Sequence, residues 1–591
     1  MPAPATAASS RTPALALRTV AVLGASYGGA RAAHLLAHGL PQHWRVVLID
    51  RNSHMNHLYV LPRYAVLPGH EHKAFIPYDN VFQPPVVANA PEPSSDPPKD
   101  VSRHVLLHAN VLELKEHELT LDKSFPEHGV PDRTLHFDYL VYALGSHLPA
   151  PINLWGPVAD EQVDKNGVVD IVRGTKQGGV AWLKKFQKRV QRASSVLVVG
   201  GGALGIQYAT DIAEIYPATR VTLLHSRHRL LPRFDEGMHT EILSTLSALN
   251  VCTILGDRLD LASLAEDANA ECNGAERIVR TQSGREIRAE LVLLCTGQTP
   301  NTALLRDAFP GVVIPNGPNK GMARVRRTMQ LAELVDNLPE EEGSSSADTL
   351  AAAPAAPAVD QQQTAEPSSP RASESTVLSS QGERPEELEG EEQEEEEEEP
   401  EPEPVEEDPH TRVAAEHIFA IGDAADAFGA VNAGHNAFFQ GEVAARNILK
   451  LIKRSEREST ESSRPQPQPH PQPPSQGEEA SSADANSESS APAAEEEDLE
   501  LELEKYVPGA PAIKVSLGLT KSVYQFQGMI GTRDKEPADL DVHLIWRYFG
   551  HNVDREDLER EGESQDESQS QSQPQPLQEI RSEAKVAVTA L

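Results

Sequence analysis

Residues 19–29 read TVAVLGASYGG, and residues 195–205 read SVLVVGGGALG. In both stretches an apolar run predicts a buried strand, and closely spaced glycines separate that strand from a helical segment. A strand, a glycine-rich turn and a helix form a unit that binds dinucleotides, because the pyrophosphate lies against the helix N-terminus. One such glycine motif is a weak signal. Two copies at the same structural position in one chain predict two dinucleotide sites.

The first turn places Gly24, Ser26 and Gly29 at the three glycine positions of the motif. Glycine permits the tight turn at the first position and close packing at the last, and a small serine still lets the backbone approach a pyrophosphate. The next predicted strand ends at Asp50, whose carboxylate can accept hydrogen bonds from a ribose. The predicted contacts of this dinucleotide are therefore Gly24, Ala25, Ser26, Tyr27, Gly28, Gly29 and Asp50.

The second turn fits the motif without substitution, through Gly200, Gly202 and Gly205. The strand after it runs into the sequence LHSRHR at residues 224–229, where an acidic residue would select NAD. Arginine suits a 2′-phosphate instead, so we expect Arg227 to favour NADPH alongside NADH at this site. The alternative is that Arg227 and Arg229 only solvate a loop.

Strands alternate with helices along much of the chain, and residues 139–143, 291–295 and 417–421 are further apolar runs typical of buried parallel strands. The alternation predicts an α/β fold with two Rossmann-like domains and a small C-terminal α+β region. One domain is expected at residues 19–160, 298–335 and 411–454. The second is inserted into it at residues 175–297, and the C-terminal region covers residues 504–552.

Four segments are predicted to be disordered, at residues 1–18, 336–410, 455–503 and 553–591. The last three are rich in Glu, Ser, Pro and Gln, and they hold too few apolar side chains to offset the entropy of ordering the chain. Residues 381–408 carry 17 acidic residues against one arginine, which is close to half of the net charge of -36. The acidity therefore belongs to these segments and does not describe a substrate.

Neither a metal nor a nucleic-acid site is predicted. His54, His57, His70 and His72 cluster in the sequence, but no cysteine or carboxylate accompanies them at ligand spacing. The chain is acidic and has no basic stripe that could follow a phosphate backbone.

The three cysteines, Cys252, Cys272 and Cys295, are too few for a disulfide scaffold and indicate a reducing compartment. No apolar run approaches the roughly 18 residues that span a bilayer. We therefore expect a cytoplasmic protein with, at most, peripheral membrane contact. The first 49 residues lack Asp and Glu and resemble a weak mitochondrial presequence, which leaves the mitochondrion as an alternative.

Three further motifs accompany the paired glycine turns: Ala143-Leu-Gly145, Cys295-Thr-Gly297 and Ile418-Phe-Ala-Ile-Gly-Asp423. Together they resemble the FAD-dependent pyridine nucleotide oxidoreductases. Within that superfamily the chain is most similar to apoptosis-inducing-factor-like proteins of the ferroptosis-suppressor type, and type II NADH dehydrogenases are more distant relatives. The resemblance covers residues 19–335 and 417–550.

The resemblance implies that FAD binds to the first turn and a nicotinamide dinucleotide to the second. It places Arg63 as a basic contact of FAD, Val111 beside the adenine and Asp423 on the ribityl chain. For Arg63 and Val111, plain surface and core roles are the alternatives. The helix that begins near Gly434 would direct its positive end at the flavin. Strand-end glycines complete the implied cofactor contacts, namely Gly145, Gly297 and Gly422.

Two departures from the family pattern narrow the expected chemistry. Gln207 stands where relatives usually have a glutamate, and a glutamine supplies neither a charge nor an acid. No Cys-x4-Cys follows the first unit, although disulfide reductases need a dithiol next to the flavin. We therefore expect NAD(P)H to reduce FAD and the electrons to pass to a small molecule such as a quinone or oxygen.

His435 and Gln440 are candidates to line the acceptor site, and helix packing is the alternative for both. A redox-sensing flavoprotein of the apoptosis-inducing-factor type, which acts through partner binding with little turnover, is an alternative function. A ferredoxin or rubredoxin reductase is a further one.

Overall fold

The computed structural model describes residues 17–86, 100–149, 151–153, 174–264, 276–335, 407–462 and 502–560. All of them belong to one compact unit. The four segments predicted to be disordered lie outside the described residues except at their edges.

Residues 17–153 contain the first glycine turn, between a buried strand and a helix. Their elements are β1 (Arg18–Leu23), α1 (Tyr27–Gly39), β2 (Trp44–Asp50), β3 (His54–Asn56), α2 (Leu61–Tyr64), β4 (Phe75–Pro77), β5 (Val105–His108), β6 (Val111–Leu114), β7 (Glu118–Leu121), β8 (Thr134–His136), β9 (Tyr139–Tyr142) and β10 (Ser146–His147).

Residues 174–335 contain the second glycine turn in the same setting. Their elements are α3 (Lys176–Arg192), β11 (Ser195–Val199), α4 (Ala203–Ile215), β12 (Arg220–His225), α5 (Glu236–Ala248), β13 (Cys252–Leu255), β14 (Arg277–Arg280), β15 (Glu286–Ala289), β16 (Leu291–Leu294), β17 (Thr299–Pro300), α6 (Ala303–Ala308), β18 (Ala323–Arg324) and β19 (Gln330–Leu334).

Residues 407–560 return to the first sheet and then form the C-terminal region. Their elements are β20 (Thr411–Ala420), β21 (Ala425–Asp426), α7 (Gly434–Ser462), β22 (Ile513–Ser516), β23 (Ser522–Phe526), β24 (Met529–Arg533) and α8 (His543–Tyr548).

The larger sheet has the order β19-β20-β9-β1-β2-β5, and its strands from β20 to β5 are parallel. Val22 lies at its centre, opposite Leu48 on one side and Val141 on the other. All three side chains are fully buried, as expected for a parallel sheet covered on both faces. Strand β20 brings residues from beyond the acidic insertion into this sheet, where Ile418 pairs with Leu140.

The second sheet, β13-β12-β11-β16, is parallel throughout. Both glycine turns therefore lie at the carboxyl ends of central parallel strands, where open α/β sheets bind their ligands. The predicted α/β class with two Rossmann-like sheets is confirmed. The exact domain boundaries stay a prediction.

The C-terminal region is an antiparallel sheet, β22-β23-β24, followed by α8. It is attached to the first domain by buried hydrogen bonds: Trp546 Nε1 donates to Lys73 O at 2.9 Å, and Tyr64 Oη donates to Asp539 O at 2.8 Å. The expected small α+β region is therefore confirmed.

Two ordered segments extend into ranges predicted to be disordered. Helix α7 continues to Ser462, beyond the expected linker start at residue 455, and Glu456 accepts from Trp44 Nε1 at 3.3 Å. Residues 553–560 also pack on the first domain, because Leu558 is buried and its carbonyl pairs with His72 Nε2 at 2.7 Å. In both places a few contacts with the first domain hold a charged segment whose composition favours disorder. No helix in the described ranges is long and apolar enough to cross a membrane.

Candidate functional site

Both turns approach a neighbouring strand too closely for any side chain at the first glycine. A Cβ on Gly24 would lie 2.4 Å from Ala143 O, and a Cβ on Gly200 would lie 2.1 Å from Cys295 O. Both residues also have positive φ, 89° and 121°, which L side chains rarely adopt. Ala143 and Cys295 begin the two strand-end motifs, so the motifs and the turns form one structure in each domain.

The two chain segments that connect the domains pair with each other in a short ladder. Strand β10 pairs antiparallel with β17, which places Ser146 opposite Pro300, and the Ser146 hydroxyl also contacts the side-chain amide of Gln298. Gly145 and Gly297 flank this ladder. A Cβ on Gly145, Gly297 or Gly202 would meet nothing within 4 Å, so open space adjoins the strand ends of both domains. The residues present therefore fit one dinucleotide at each glycine turn.

The carboxylate of Asp50, at the end of β2, is hydrogen-bonded to the first glycine turn. Its Oδ2 accepts from Ala25 N at 2.7 Å and its Oδ1 accepts from Asn52 N at 2.7 Å. Burial raises the pKa of Asp50, and the hydrogen bond from Ala25 opposes that shift. Asn52 Nδ2 and Tyr78 Oη also donate to this carboxylate, at 3.1 and 3.5 Å, so its roughly four acceptor positions are all engaged and a ribose hydroxyl would have to replace one of these donors. Ala109 N donates to Asp50 O at 3.0 Å, which brings the strand of Val111 to the same place.

Gly28 allows two helices to pack closely, in addition to its predicted contact with a dinucleotide. A Cβ on Gly28 would lie 2.5 Å from Ala437 O, and a Cβ on Gly441 would lie 2.4 Å from Gly28 O. The two glycines therefore allow α1 and α7 to pack backbone to backbone. This contact brings the start of α7 to the first turn.

His225 accepts a hydrogen bond from the second turn, as Asp50 does from the first. The sequence did not reveal this role of His225. Gly201 N donates to His225 Nδ1 at 3.0 Å, and Nε2 on the other side of the ring pairs with Arg229 O at 3.1 Å. Accepting at Nδ1 and donating at Nε2 requires a neutral imidazole. Burial lowers the pKa of His225, which favours the same neutral form. Its position at the end of the strand after the motif was the available signal.

The two arginines after His225 differ in their surroundings. The side chain of Arg227 is exposed next to the turn. Arg229 Nη2 instead donates to Phe234 O at 2.7 Å and helps to shape the following loop. A contact of Arg227 with a 2′-phosphate stays a prediction.

Asp423 lies beside the β10–β17 ladder. Ser146 Oγ donates to its Oδ2 at 2.8 Å, and burial raises the pKa of Asp423 although this hydrogen bond opposes the shift. The backbone before it is held by Gln440, whose Oε1 accepts from Gly422 N at 2.7 Å. Gln440 is buried and lines a small cleft with Asp423 and Asn436. The structure thus gives Gln440 a positioning role, and its part in acceptor binding stays a prediction.

The start of α7 adjoins a cluster of aromatic residues. Gly434 N donates to Tyr59 Oη at 2.9 Å, and the Tyr59 ring lies 5.6 Å from that of Tyr27. The Tyr27 hydroxyl pairs with His57 Nδ1 at 2.8 Å, and burial lowers the pKa of His57 to about 3, so the imidazole is neutral. His435 is exposed at the edge of this cluster, and partial desolvation of its imidazole lowers its pKa.

Arg63 makes a buried ion pair that the sequence did not reveal. Its Nε lies 3.0 Å from Asp211 Oδ2, and its other nitrogens donate to the carbonyls of Gly518 and Leu519. Burial raises the pKa of Asp211 to about 6, and Arg63 limits that rise. The guanidinium therefore joins α2, α4 and the C-terminal region. A contact of Arg63 with FAD stays a prediction.

Gln207, which replaces the usual glutamate, also faces the C-terminal region. Its Nε2 donates to Ser516 Oγ at 3.1 Å, so the side chain joins α4 to β22. No group of three His, Cys, Asp or Glu side chains in the described ranges could hold a metal ion.

The two described cysteines are free thiols and stand apart. Cys252 begins β13, and Cys295 follows β16 at the opposite edge of the sheet. Three strand spacings separate them, which is about 14 Å, whereas a disulfide needs Cα atoms within about 7 Å. Burial raises the pKa of Cys295, so its thiol stays protonated and unreactive.

Comparisons with known proteins agree with this architecture. The family model described as "Pyridine nucleotide-disulphide oxidoreductase" matches residues 18–317, which is about half of the chain. "Fe-regulated protein 8" of Mycosarcoma maydis is 36% identical over 545 residues, which cover 91% of this chain and 96% of that protein. Ferroptosis suppressor protein 1 of Homo sapiens is 28% identical over 300 residues, which cover 50% of this chain and 67% of that protein.

Among solved structures, an NAD-dependent persulfide reductase from A. fulgidus matches with 17% identity and a TM-score of 0.41. The match covers 73% of this chain and 59% of that one. This TM-score is too low to support an assignment. The family model and the sequence relatives support one, and they confirm the resemblance drawn from the motifs. The chain belongs to the pyridine nucleotide-disulphide oxidoreductase family and is an oxidoreductase that uses FAD with NAD(P)H as its co-substrate.

Proposed function

We propose that the protein is an NAD(P)H:acceptor oxidoreductase whose acceptor is a quinone-like small molecule or oxygen. The observation that carries the proposal is the β10–β17 ladder, which pairs the segment after Gly145 with the segment after Gly297, so that the chain connections at the strand ends of the two domains lie side by side. FAD, when bound, accepts a hydride from the nicotinamide and releases electrons to an acceptor. The protein's task is to hold the two reactants in contact and in line.

The first domain supplies the residues that would hold FAD. The turn at residues 24–29 and the buried carboxylate of Asp50 would take the pyrophosphate and ribose, since helix N-termini favour anions. Asp423, fixed by Ser146, would accept hydrogen bonds from the ribityl hydroxyls. The N-terminus of α7 would place partial positive charge near the flavin, which favours its negatively charged reduced form.

The second domain supplies the nicotinamide site through Gly200, Gly202 and Gly205. An aspartate in place of His225 could also accept from Gly201 N, but its charge would repel a 2′-phosphate. The neutral imidazole keeps the hydrogen bond without that charge, and Arg227 stands next to it with a positive one. These two features support use of NADPH alongside NADH.

The separation of the two described cysteines, and the burial of one of them, support an acceptor that diffuses to the flavin. Transfer to a disulfide substrate needs a pair of thiols close enough to exchange electrons with it, at least one of them ionised. Cys295 is buried and its pKa is raised, and Cys252 lies three strands away. A quinone or oxygen needs no such relay.

Absorption spectra and steady-state kinetics of the purified protein test the function directly. We expect a visible flavin spectrum, bleaching on anaerobic addition of NADPH, and rapid steady-state oxidation of NADPH with a soluble quinone. Oxygen without quinone measures the second acceptor. A colourless protein that takes up no FAD would contradict the proposal, and so would a reduced flavin that persists in the presence of both acceptors.

A further inference from the structure

The hairpin formed by β23 and β24 projects a rigid tip from the C-terminal region. Phe526 pairs with Met529, so only Gln527 and Gly528 form the turn. Both have positive φ, 50° and 76°, as a two-residue type I′ turn requires. This turn matches the twist of the strands, so the tip is a defined structure and not a loose loop.

The strand register sorts the side chains of the tip onto two faces. Directly paired residues share a face, and successive residues alternate. Gln525 and Ile530 form a pair that points to the body of the protein, where Gln525 Oε1 accepts from Asp235 N at 2.9 Å. The opposite face carries Tyr524, Phe526 and Met529.

That outer face is apolar at its tip and basic at its base. Phe526 is 55% exposed, Met529 66% and Tyr524 38%. Residues 524–532 contain no charged side chain. In the register, Lys514 pairs with Tyr524 and Arg533 lies two residues beyond Gly531, so both cations share this face. They also share one carboxylate, Glu536, at 2.8 Å from Lys514 and 3.6 Å from Arg533, which leaves a net positive charge.

We propose that this hairpin tip inserts into the surface of a lipid bilayer, with Phe526 and Met529 among the acyl chains and Lys514 and Arg533 at the anionic headgroups. Apolar and aromatic side chains above a basic base are the pattern of interfacial membrane binding. A protein partner fits less well, because the tip is a narrow two-residue turn between two strands, whereas a stable protein interface takes about 800 Å² of polar and apolar surface from each partner.

Docking through the hairpin would bring the reaction site near the membrane. The hairpin contacts the loop before α5 through Asp235, and Arg233 in the same loop donates to Gly429 O, six residues after Asp423. A membrane-dissolved acceptor would then arrive close to that end of the site. This consequence rests on the proposed function, whereas membrane binding itself does not.

Vesicle sedimentation of the full chain tests the proposal. We expect the wild-type protein to sediment with vesicles of phosphatidylcholine and phosphatidylserine, and less with phosphatidylcholine alone. The double variant Phe526→Ser with Met529→Ser should lose roughly tenfold or more of this binding. Leu112→Ser with Leu261→Ser removes two equally exposed apolar side chains elsewhere, and it should bind like wild type.

Two further measurements separate the outcomes. Turnover with a soluble quinone should be equal in all variants, which shows that they are folded and tests the redox function independently. The emission of a Phe526→Trp variant should shift to shorter wavelength on addition of vesicles. Absence of wild-type binding, equal binding by the double variant, or loss of a wild-type dimer in the double variant without any vesicle binding would each overturn the proposal.

Discussion

The backbone N–H of Gly201 donates to Nδ1 of His225 at 3.0 Å, in the position where Ala25 N–H donates to Asp50 Oδ2 at 2.7 Å in the other domain. The two turns are therefore stabilised by the same kind of hydrogen bond, but the acceptor is a carboxylate in one and a neutral imidazole in the other. A carboxylate stabilises the first turn and places a negative charge beside it. A neutral ring stabilises the second turn and leaves space for an anion.

Changing this one charge should change the choice of nucleotide. In a His225→Asp variant we expect the ratio of kcat/KM for NADPH to that for NADH to fall tenfold or more, about 1.4 kcal/mol, because the new carboxylate repels the 2′-phosphate. Steady-state kinetics with both nucleotides and a soluble quinone measure the ratio.

Two variants control this experiment. His225→Asn keeps a neutral acceptor for Gly201 and should retain the wild-type ratio, whereas Arg227→Ala should weaken use of NADPH and leave NADH unaffected. An unchanged ratio in His225→Asp would show that the strand end does not meet the 2′ position.

Local patterns in the sequence were sufficient for the two turns, their strands and the α/β class. Gly24, Gly200 and Asp50 follow rules that operate within about 30 residues, so spacing alone exposes them. Asp211 obeys no such rule. It lies inside a helix, 148 residues from Arg63, and only the folded chain shows that the two form a pair.

The hydrogen bonds of His225 and Gln440 could not be predicted, for a different reason. The sequence showed that the usual acid was absent after the second turn, but not that a histidine had taken over its hydrogen bond. Gln440 was recognised as polar and near the flavin end, but its acceptor oxygen is used by Gly422 N–H. Partners of a side chain depend on geometry that periodicity does not contain.

The buried His57 should make stability depend on pH. Its pKa is lowered by burial from 6.5 to about 3, so between these values the unfolded chain binds a proton that the folded protein does not. Stability from this residue is therefore complete above pH 6.5 and is lost as the pH falls toward 3, by about 1.4 kcal/mol per pH unit. Urea unfolding at a series of pH values measures the slope.

A His57→Asn variant isolates this contribution, because asparagine keeps an acceptor for the Tyr27 hydroxyl but does not titrate. Its slope should be shallower than that of wild type by about one proton. Identical slopes would mean that His57 is protonated in the folded protein.

The Arg63–Asp211 pair should be a large contributor to stability. Arg63→Met leaves the carboxyl of Asp211 buried without its cation, and removal of one partner from a buried pair costs about 3–5 kcal/mol. Arg63→Met combined with Asp211→Leu removes both charges and should recover part of that loss. Urea unfolding gives the stabilities.

The flavin content of these variants tests the second predicted role of Arg63, which is a contact with FAD. If the guanidinium also contacts FAD, the double variant will hold less flavin than wild type even where its stability has recovered. A loss below about 1 kcal/mol in the single variant would show that the pair is exposed to water in solution.

The segment around Leu558 tests whether an acidic tail can be part of the folded domain. Leu558 is 1% exposed, its carbonyl pairs with His72, and the next residue, Glu559, forms an ion pair with the buried Lys73. Truncation of a buried leucine to alanine costs about 2–5 kcal/mol, and we expect the lower end because the segment is short and peripheral. Glu556→Ala, two residues away and exposed, should change stability by less than about 0.5 kcal/mol. Equal unfolding free energies for Leu558→Ala and Glu556→Ala would mean that residues 553–560 leave the surface in solution. A clear difference would show that the folded region extends past the point where composition alone predicts disorder.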